Sequence, residues 1–317
     1  MNNETIVNYH LKSKSTLMNY LIKDEPSGAY LFRGPKGVGK NIFALFLASK
    51  LLGNPEKIDK EIHPDLLILP NDKNKILVED TEKMEKWALN RPFESNKKII
   101  IIYEAHLMST VVQNKILKLL EEPPEYLLIF LISSSPGQLL ATVRSRCIDI
   151  NFDLLPEDFL IESLKENVAN QDLIKFSLYL LNGSMDKIEF YTDKNLNEII
   201  ELTTVIVNQN TNDLETLLSK VEKITKEKSF NSKFFLSILI GAINYALIEK
   251  NIESRSQSGI FKEIILKKAS NLNLISLVSK LTYLGYDLQW SNFNFKINFE
   301  SILLDFIMES NESFKVA

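Results

Sequence analysis

A glycine-rich segment near the start of the chain has the composition and spacing of a phosphate-binding loop. It reads Gly34-Pro35-Lys36-Gly37-Val38-Gly39-Lys40, between an apolar run and a helix-like pattern. Glycines let backbone amides turn inward around a phosphate, and the closing lysine can reach the terminal phosphates of a nucleotide. Residues 34–41 therefore predict a nucleotide-binding loop. The alternative is a glycine-rich turn that only joins a strand to a helix.

Two groups that would hold Mg²⁺ at this loop are missing. The residue after Lys40 should carry a hydroxyl but is Asn41, and the apolar strand Ile99–Ile102 is followed by Tyr103 where an Asp is expected. Glu104 falls where a carboxylate would polarise water. Because electrostatic stabilisation supplies most of the catalysis of phosphoryl transfer, we expect ATP hydrolysis to be absent or very slow. The glycines and Lys40 leave weak binding of ATP or ADP open.

Other titratable residues are expected to be structural. His106 is a lone histidine without partners at metal-ligand spacing, and Cys147 has no histidine partner that would activate it. Glu121 and Glu122 precede Pro123, which should end a helix. Arg146, from chemistry alone, is more simply an arginine in a salt bridge at a helix end than a catalytic cation.

Bulk composition excludes several classes of protein. The chain has 317 residues, a formal net charge of −4 and a single cysteine. The charge argues against dominant nonspecific binding to nucleic acid. One cysteine forms neither an internal disulfide nor a cysteine-based zinc site, so we expect no metal and a reduced, cytoplasmic setting. The sequence also predicts no signal peptide and no transmembrane helix.

Alternating strand and helix patterns must position the loop. Apolar runs at Ala29–Phe32, Leu66–Leu69, Lys98–Tyr103 and Leu127–Ile132 alternate with helical periodicity, which predicts a parallel sheet covered on both faces. Beyond about residue 152 only helical patterns remain. We predict an α/β P-loop domain at 1–152, a small helical lid domain at 153–206 and an all-α collar domain at 207–317.

Helices of the second half are predicted from apolar residues at helical spacing. The predicted helices are Glu157–Asn170, Gln171–Leu181, Asn195–Asn208, Asn212–Glu227, Phe230–Lys250, Gly259–Asn271, Leu274–Leu284 and Glu300–Glu309.

Three further segments carry a resemblance to a known family. Residues 114–124, Asn-Lys-Ile-Leu-Lys-Leu-Leu-Glu-Glu-Pro-Pro, resemble the NALLKxLEEPP segment of bacterial DNA polymerase III clamp-loader subunits, which are AAA+ proteins. Residues 142–147 resemble their T-I-x-S-R-C segment, and His63-Pro64-Asp65 resembles their HPD. With the phosphate loop these motifs follow the family's order from about residue 27 to 150.

The positions at which the chain departs from the family pattern indicate which kind of subunit it resembles. The motor subunits gamma and tau keep an intact ATP site, whereas delta prime commonly has a degenerate one and keeps Ser-Arg-Cys, so Asn41 and Tyr103 favour a delta prime-like subunit. Asp186 stands near Gly183-Ser184, where motors place a phosphate-sensing Arg. The chain also lacks the zinc-binding cysteine cluster of many relatives.

The resemblance further implies an activity exerted on a neighbour. Arg146, within Ser-Arg-Cys, is expected to reach ATP held by another subunit, with Arg144 close by. The expected partners are gamma/tau and delta, with the sliding clamp and primer–template DNA contacted through the complex, a part of the DNA polymerase holoenzyme. Two alternatives stay open: an active motor whose Mg²⁺ site is rebuilt with Asn41 and Glu104, and a structural adaptor whose Arg146 is not catalytic.

Overall fold

Apolar runs of the first half form one sheet of five parallel strands. The structure is a computed structural model that describes residues 3–15, 20, 27–70, 76–208, 214–226, 231–252, 260, 271–288 and 294–312. The strands are β1 (Gly28–Arg33), β2 (Leu66–Leu69), β3 (Lys98–Ile102), β4 (Leu127–Ser133) and β5 (Cys147–Asn151). Their order across the sheet is β2-β3-β4-β1-β5, and each neighbouring pair is parallel.

The inner strands are hydrophobic because helices cover both their faces. Every residue of β3 and β4 is buried, as expected for parallel strands packed on two sides. Register pairs Gly28 with Leu128 and Lys98 with Leu127, so β1, β3 and β4 end at one edge of the sheet. The loops that follow these strands therefore converge at that edge.

Helices of the first half follow the strands in alternation. They are α1 (Asn3–Ser13), α2 (Lys40–Leu52), α3 (Pro55–Asp59), α4 (Val78–Leu89), α5 (Thr110–Glu121) and α6 (Ala141–Arg144). Helix α5 begins where the Ser109 hydroxyl accepts a hydrogen bond from the Val112 amide, and it ends just before Pro123.

Only helices and short turns follow β5 among the described residues. They are α7 (Glu157–Leu164), α8 (Gln171–Leu181), α9 (Asp193–Asn208), α10 (Leu214–Thr225), α11 (Ser232–Ile252), α12 (Asn271–Asp287) and α13 (Phe295–Glu312). Helix α11 is the central element, since it packs against α8, α9 and α12. Its apolar residues Leu236, Leu239 and Ile243 are buried in the core of these helices.

The chain divides into two compact units. One comprises Met1–Pro156 together with Gly183–Asp186, and the other comprises Glu157–Asn182 and Lys187–Ala317. We call them the α/β unit and the helical unit. The three-part division at residues 152 and 206 stays a prediction. No helix in the described part of the chain is long and apolar enough to cross a membrane.

The predicted fold class is confirmed, and the departures have physical reasons. Strand β5 was not predicted, because this edge strand is short and mostly exposed, with Ile150 buried and Ile148 half exposed. Helix α1 was not predicted either, since it is mostly polar and buries only Ile6, Val7 and His10 among its described side chains. A single helix at Glu157–Asn170 is wrong, because α7 ends at Leu164.

The end of α7 and the start of α8 depend on Asn170. Its side-chain oxygen accepts a hydrogen bond from the Asp172 amide at 2.8 Å and caps α8. Most of the predicted helix Gly259–Asn271 lies outside the described residues.

Candidate nucleotide site and arginine motif

The phosphate loop leaves the carboxyl end of β1 and enters α2, as the sequence predicts. Gly37 and Gly39 have φ of +73° and +88°, conformations that favour glycine. Gly39 precedes α2 without a side-chain cap, so the first amides of the helix are not occupied by a capping side chain. This backbone arrangement is suited to an anion.

Lys40 is turned onto its own loop. Its Nζ donates to the carbonyl oxygens of Gly34 and Pro35 at 2.7 and 2.5 Å, and the residue is only 5% exposed. Burial lowers the pKa of Lys40, while the nearby Glu104 carboxylate acts in the opposite direction. For Lys40 to bind the phosphates of a nucleotide, its ammonium group would have to break its hydrogen bonds to the carbonyls of Gly34 and Pro35.

A short segment from beyond the sheet covers the loop. We call Gly183–Asp186 the strap, and it belongs to the α/β unit. The Met185 amide donates to the Gly37 carbonyl at 2.8 Å, and Asp186 pairs with Lys36 at 2.8 Å. A β-carbon at Gly37 would overlap the Ser184 hydroxyl. The strap thus brings the Asp186 carboxylate to the loop; that this carboxylate would repel a phosphate stays a prediction.

Helix α1 covers another part of the loop. The Nε2 of His10 donates to the Val38 carbonyl at 2.6 Å, and a β-carbon at Gly39 would overlap Ile6. Burial lowers the pKa of His10, although the hydrogen bond to the Val38 carbonyl acts in the opposite direction. His10 was not predicted from the sequence, because the residue lies in a polar helix, 28 positions before Val38, and no local pattern indicates the contact.

The carboxyl ends of β3 and β4 supply polar groups beside the loop. Tyr103 is partly buried, and burial raises the pKa of its phenol, so a neutral group stands where an anionic metal ligand is expected. Glu104 accepts a hydrogen bond from the Ser134 hydroxyl at 3.1 Å and lies 3.4 Å from His106 Nδ1. Ser134 was not singled out from the sequence, although its place just after a central parallel strand is the usual place for ligand contacts.

Asn41 and Tyr103 belong to two different segments of the α/β unit. Asn41 is exposed on the first turn of α2, and β3, which precedes Tyr103, is separated from β1 by β4. Among the described residues, no group of three or more His, Cys, Asp or Glu side chains is placed to hold a metal ion. The absence of a bound metal stays a prediction.

Arg146 follows the short helix α6 and makes an ion pair. Its Nε donates to Glu121 Oε1 at 2.6 Å, its Nη2 contacts the same oxygen, and its Nη1 donates to the Thr142 carbonyl at 2.8 Å. The side chain of Arg146 is 31% exposed. Arg144 is exposed. The predicted arginine is therefore reachable from outside, and it also makes the salt bridge of the structural alternative.

Cys147 starts β5 and is partly buried. Burial, with a smaller effect from Asp149, raises the pKa of its thiol to about 12. Its Sγ contacts the Val143 carbonyl at 3.3 Å. A thiol with so high a pKa is a poor nucleophile at neutral pH.

The His63-Pro64-Asp65 motif holds a loop in place. Asp65 is fully buried, and its carboxylate accepts hydrogen bonds from the amides of Phe93, Glu94 and Ser95 at 2.7 to 2.9 Å. The Ser95 hydroxyl adds a fourth at 3.1 Å. The motif therefore fixes the segment that leads into β3.

Comparison with known proteins agrees with this geometry. The DNA polymerase III delta subunit family matches residues 9–156. The delta' subunit of DNA polymerase III from Bacillus subtilis is 30% identical over 185 residues, which cover 55% of this chain and 56% of that protein. The gamma subunit from Buchnera aphidicola is 25% identical over 89% of this chain and 88% of its own.

The chain spans about half, or less, of the length of the first curated relatives that it matches. Among solved structures, a DNA polymerase III gamma subunit-related protein from Thermotoga maritima shares the fold, with a TM-score of 0.55 at 18% identity. That likeness covers 93% of this chain and 98% of the other. Residues 9–156, with their parallel sheet, phosphate loop and Ser-Arg-Cys motif, are thus similar to the clamp-loader subunits of bacterial DNA polymerase III.

Proposed function

We propose that this chain is a non-motor, delta prime-like subunit of a bacterial DNA polymerase III clamp loader. In that role it is a stator that does not hydrolyse ATP itself and supplies Arg146 to ATP held by a neighbouring subunit. The observation that carries the proposal is one α/β unit that combines a partly exposed Ser-Arg-Cys arginine with a phosphate loop lacking both Mg²⁺-binding side chains.

The local geometry supports a loop that does not work as a catalytic site. Lys40 bonds to the carbonyls of its own loop, and the strap places Asp186 beside Lys36. Hydrolysis needs a metal and fixed cations around the γ-phosphate. Here the metal ligands are replaced by an amide and a phenol, and an anion stands nearby.

The motor alternative and the stator make opposite demands on Lys40 and Arg146. In a complex reconstituted with gamma/tau and delta, Lys40→Ala in this chain should leave clamp- and DNA-stimulated ATP turnover unchanged, whereas Arg146→Ala should lower it. The reverse pattern would support a motor whose Mg²⁺ site uses Asn41 and Glu104. If neither change alters the turnover, the remaining interpretation is a structural adaptor whose Arg146 is not catalytic.

Negligible ATP hydrolysis is expected from the isolated chain. Steady-state turnover with Mg²⁺, with or without DNA, should stay far below about 1 s⁻¹, the low end for phosphoryl-transfer enzymes. Asn41→Ser should not create activity, because Tyr103 and Asp186 remain. A Mg²⁺-dependent rate near that value in the wild-type chain would contradict the stator.

Assembly is proposed to use the C-terminal helices, the region of the predicted collar domain. Helix α12 exposes Ile275, Tyr283 and Tyr286, with 54%, 71% and 63% of each residue accessible. Their spacing of eight and three residues places them along one side of the helix. A row of exposed apolar and aromatic residues is typical of protein interfaces.

A double change on this row should weaken assembly. Replacing Tyr283 and Tyr286 by alanine should reduce the affinity for partner subunits about tenfold to a hundredfold, because buried tyrosines are common hot spots. Size-exclusion chromatography of the reconstituted complex measures the effect. Asp287→Ala on the same helix is the matched control. Unchanged assembly of the double variant would place the interface elsewhere.

A further inference from the structure

The pairing of Arg146 with Glu121 leaves part of the guanidinium free. Glu121 Oε1 accepts from Nε and Nη2, and the Thr142 carbonyl accepts from Nη1. A guanidinium has five N–H donors. Three are engaged, which leaves two, one on each terminal nitrogen. Two N–H groups on adjacent terminal nitrogens match the fork that binds phosphate oxygens.

Both acceptors belong to helices of the α/β unit. Glu121 is the last residue of α5, whose end is set by Pro123, and Thr142 lies in α6. Arginine carries a large rotamer entropy, which a side chain held at two points has largely lost before it meets a ligand. Glu121 and Thr142 therefore pre-orient Arg146 instead of only neutralising it.

The place of Glu121 in its helix argues for a specific partner. A carboxylate in the last turn of a helix is unfavourable, because the helix C-terminus carries partial negative charge. The adjacent Glu122 is also exposed, and its backbone ends the helix. Of the two, Glu121 contacts the arginine of the Ser-Arg-Cys motif.

We infer that Glu121 is a positioning residue for Arg146. It holds the guanidinium so that the two remaining N–H groups of Arg146 face the phosphate of ATP bound by a neighbouring subunit. This inference rests on the proposed trans action of Arg146. Glu121 would not touch ATP. It would act by fixing the direction of the guanidinium, an effect on turnover and not on the affinity for ATP.

A double-mutant cycle in the reconstituted complex tests the inference. The variants are Glu121→Gln, Arg146→Ala, the combination of the two, and Glu122→Gln as the matched control. The measured quantity is the Arg146-dependent turnover, the difference between the rates with the wild-type and the Arg146→Ala chains. Glu121→Gln should lower the kcat of the Arg146-dependent turnover about threefold to tenfold, with little change in KM. This factor corresponds to the free-energy cost of immobilising one long side chain.

Three further results are expected if Glu121 acts through Arg146. The combination should match Arg146→Ala alone, Glu122→Gln should match the wild type, and Glu121→Asp should recover part of the rate. Melting temperatures of the isolated chains, measured alongside, show that each variant is folded.

The outcomes separate the inference from the function on which it rests. If Arg146→Ala leaves turnover unchanged, the proposed function is wrong. If Arg146→Ala lowers turnover but Glu121→Gln leaves it unchanged or raises it, only the positioning role is wrong. An equal loss from Glu121→Gln with and without Arg146 would show an effect that bypasses the arginine, and it would also overturn the inference.

Discussion

Under the proposed function, Arg146→Ala should remove catalysis at one ATP site of the assembled clamp loader. An arginine acting in trans typically accelerates phosphoryl transfer about 10³- to 10⁵-fold at the site that it serves. Sites between other subunits would keep their own arginines, so total clamp- and DNA-stimulated turnover should fall by the share of one site. The measurement is steady-state ATP turnover of complexes with matched subunit composition.

Two substitutions sharpen this result. Arg146→Lys should restore little activity, because a point charge lacks the planar fork of donors. Arg144→Ala, at an exposed arginine two residues away, is the matched control and should leave turnover unchanged. If Arg144→Ala causes the loss and Arg146→Ala does not, the wrong arginine has been assigned.

Loss of Arg146 should not unfold the chain. Its ion pair with Glu121 lies at the surface, with 31% and 47% of the two side chains exposed. Exposed pairs usually contribute about 0 to 1 kcal/mol to the free energy of unfolding. Urea unfolding of the isolated chain should therefore change little, and a failure to assemble would point to a structural role.

Asp65→Ala should give the largest loss of stability among the changes considered. The buried carboxylate accepts three amides and one hydroxyl, and its removal leaves the segment at residues 93–95 without these acceptors. Broken networks around a buried charge typically cost about 2 to 4 kcal/mol. Urea unfolding of the α/β unit measures the loss. Asp59→Ala, at an exposed aspartate, is the control and should change little.

The contribution of Asp65 should depend on pH in a defined direction. Burial tends to raise the pKa of its carboxyl, but the hydrogen bonds from residues 93–95 outweigh burial and hold the pKa below the ordinary value of 3.8. A depressed pKa stabilises the folded state above the unfolded-state pKa, and the contribution is lost as pH falls through the folded-state pKa. The difference between wild type and Asp65→Ala should be constant near neutral pH and shrink only below about pH 4. A difference that already shrinks at pH 6 would mean that another group carries the effect.

The sequence by itself determined the inner strands and the position of the phosphate loop, and it predicts that the metal ligands of this loop are missing. Continuous apolar runs such as Ile99–Ile102 favour a strand that is buried on both faces, as β3 is. The loop glycines and Lys40 are local signals, because residue type and spacing fix their backbone. Asn41 and Tyr103 are visible for the same reason, and the motifs around Asp65, Glu121 and Arg146 are equally contiguous.

Tertiary structure alone decided how these parts meet. Arg146 contacts Glu121 across 25 residues of sequence, and Asp65 contacts Ser95 across 30. The strap and helix α1 reach the loop at Gly37 and Val38 from opposite ends of the α/β unit's sequence. The sequence gives no local signal for these contacts, because they are made by a backbone amide, a backbone carbonyl and a half-exposed carboxylate. Such groups occur throughout any protein. Only the packing of the sheet and its helices brings them within hydrogen-bond distance, and that packing depends on the whole chain.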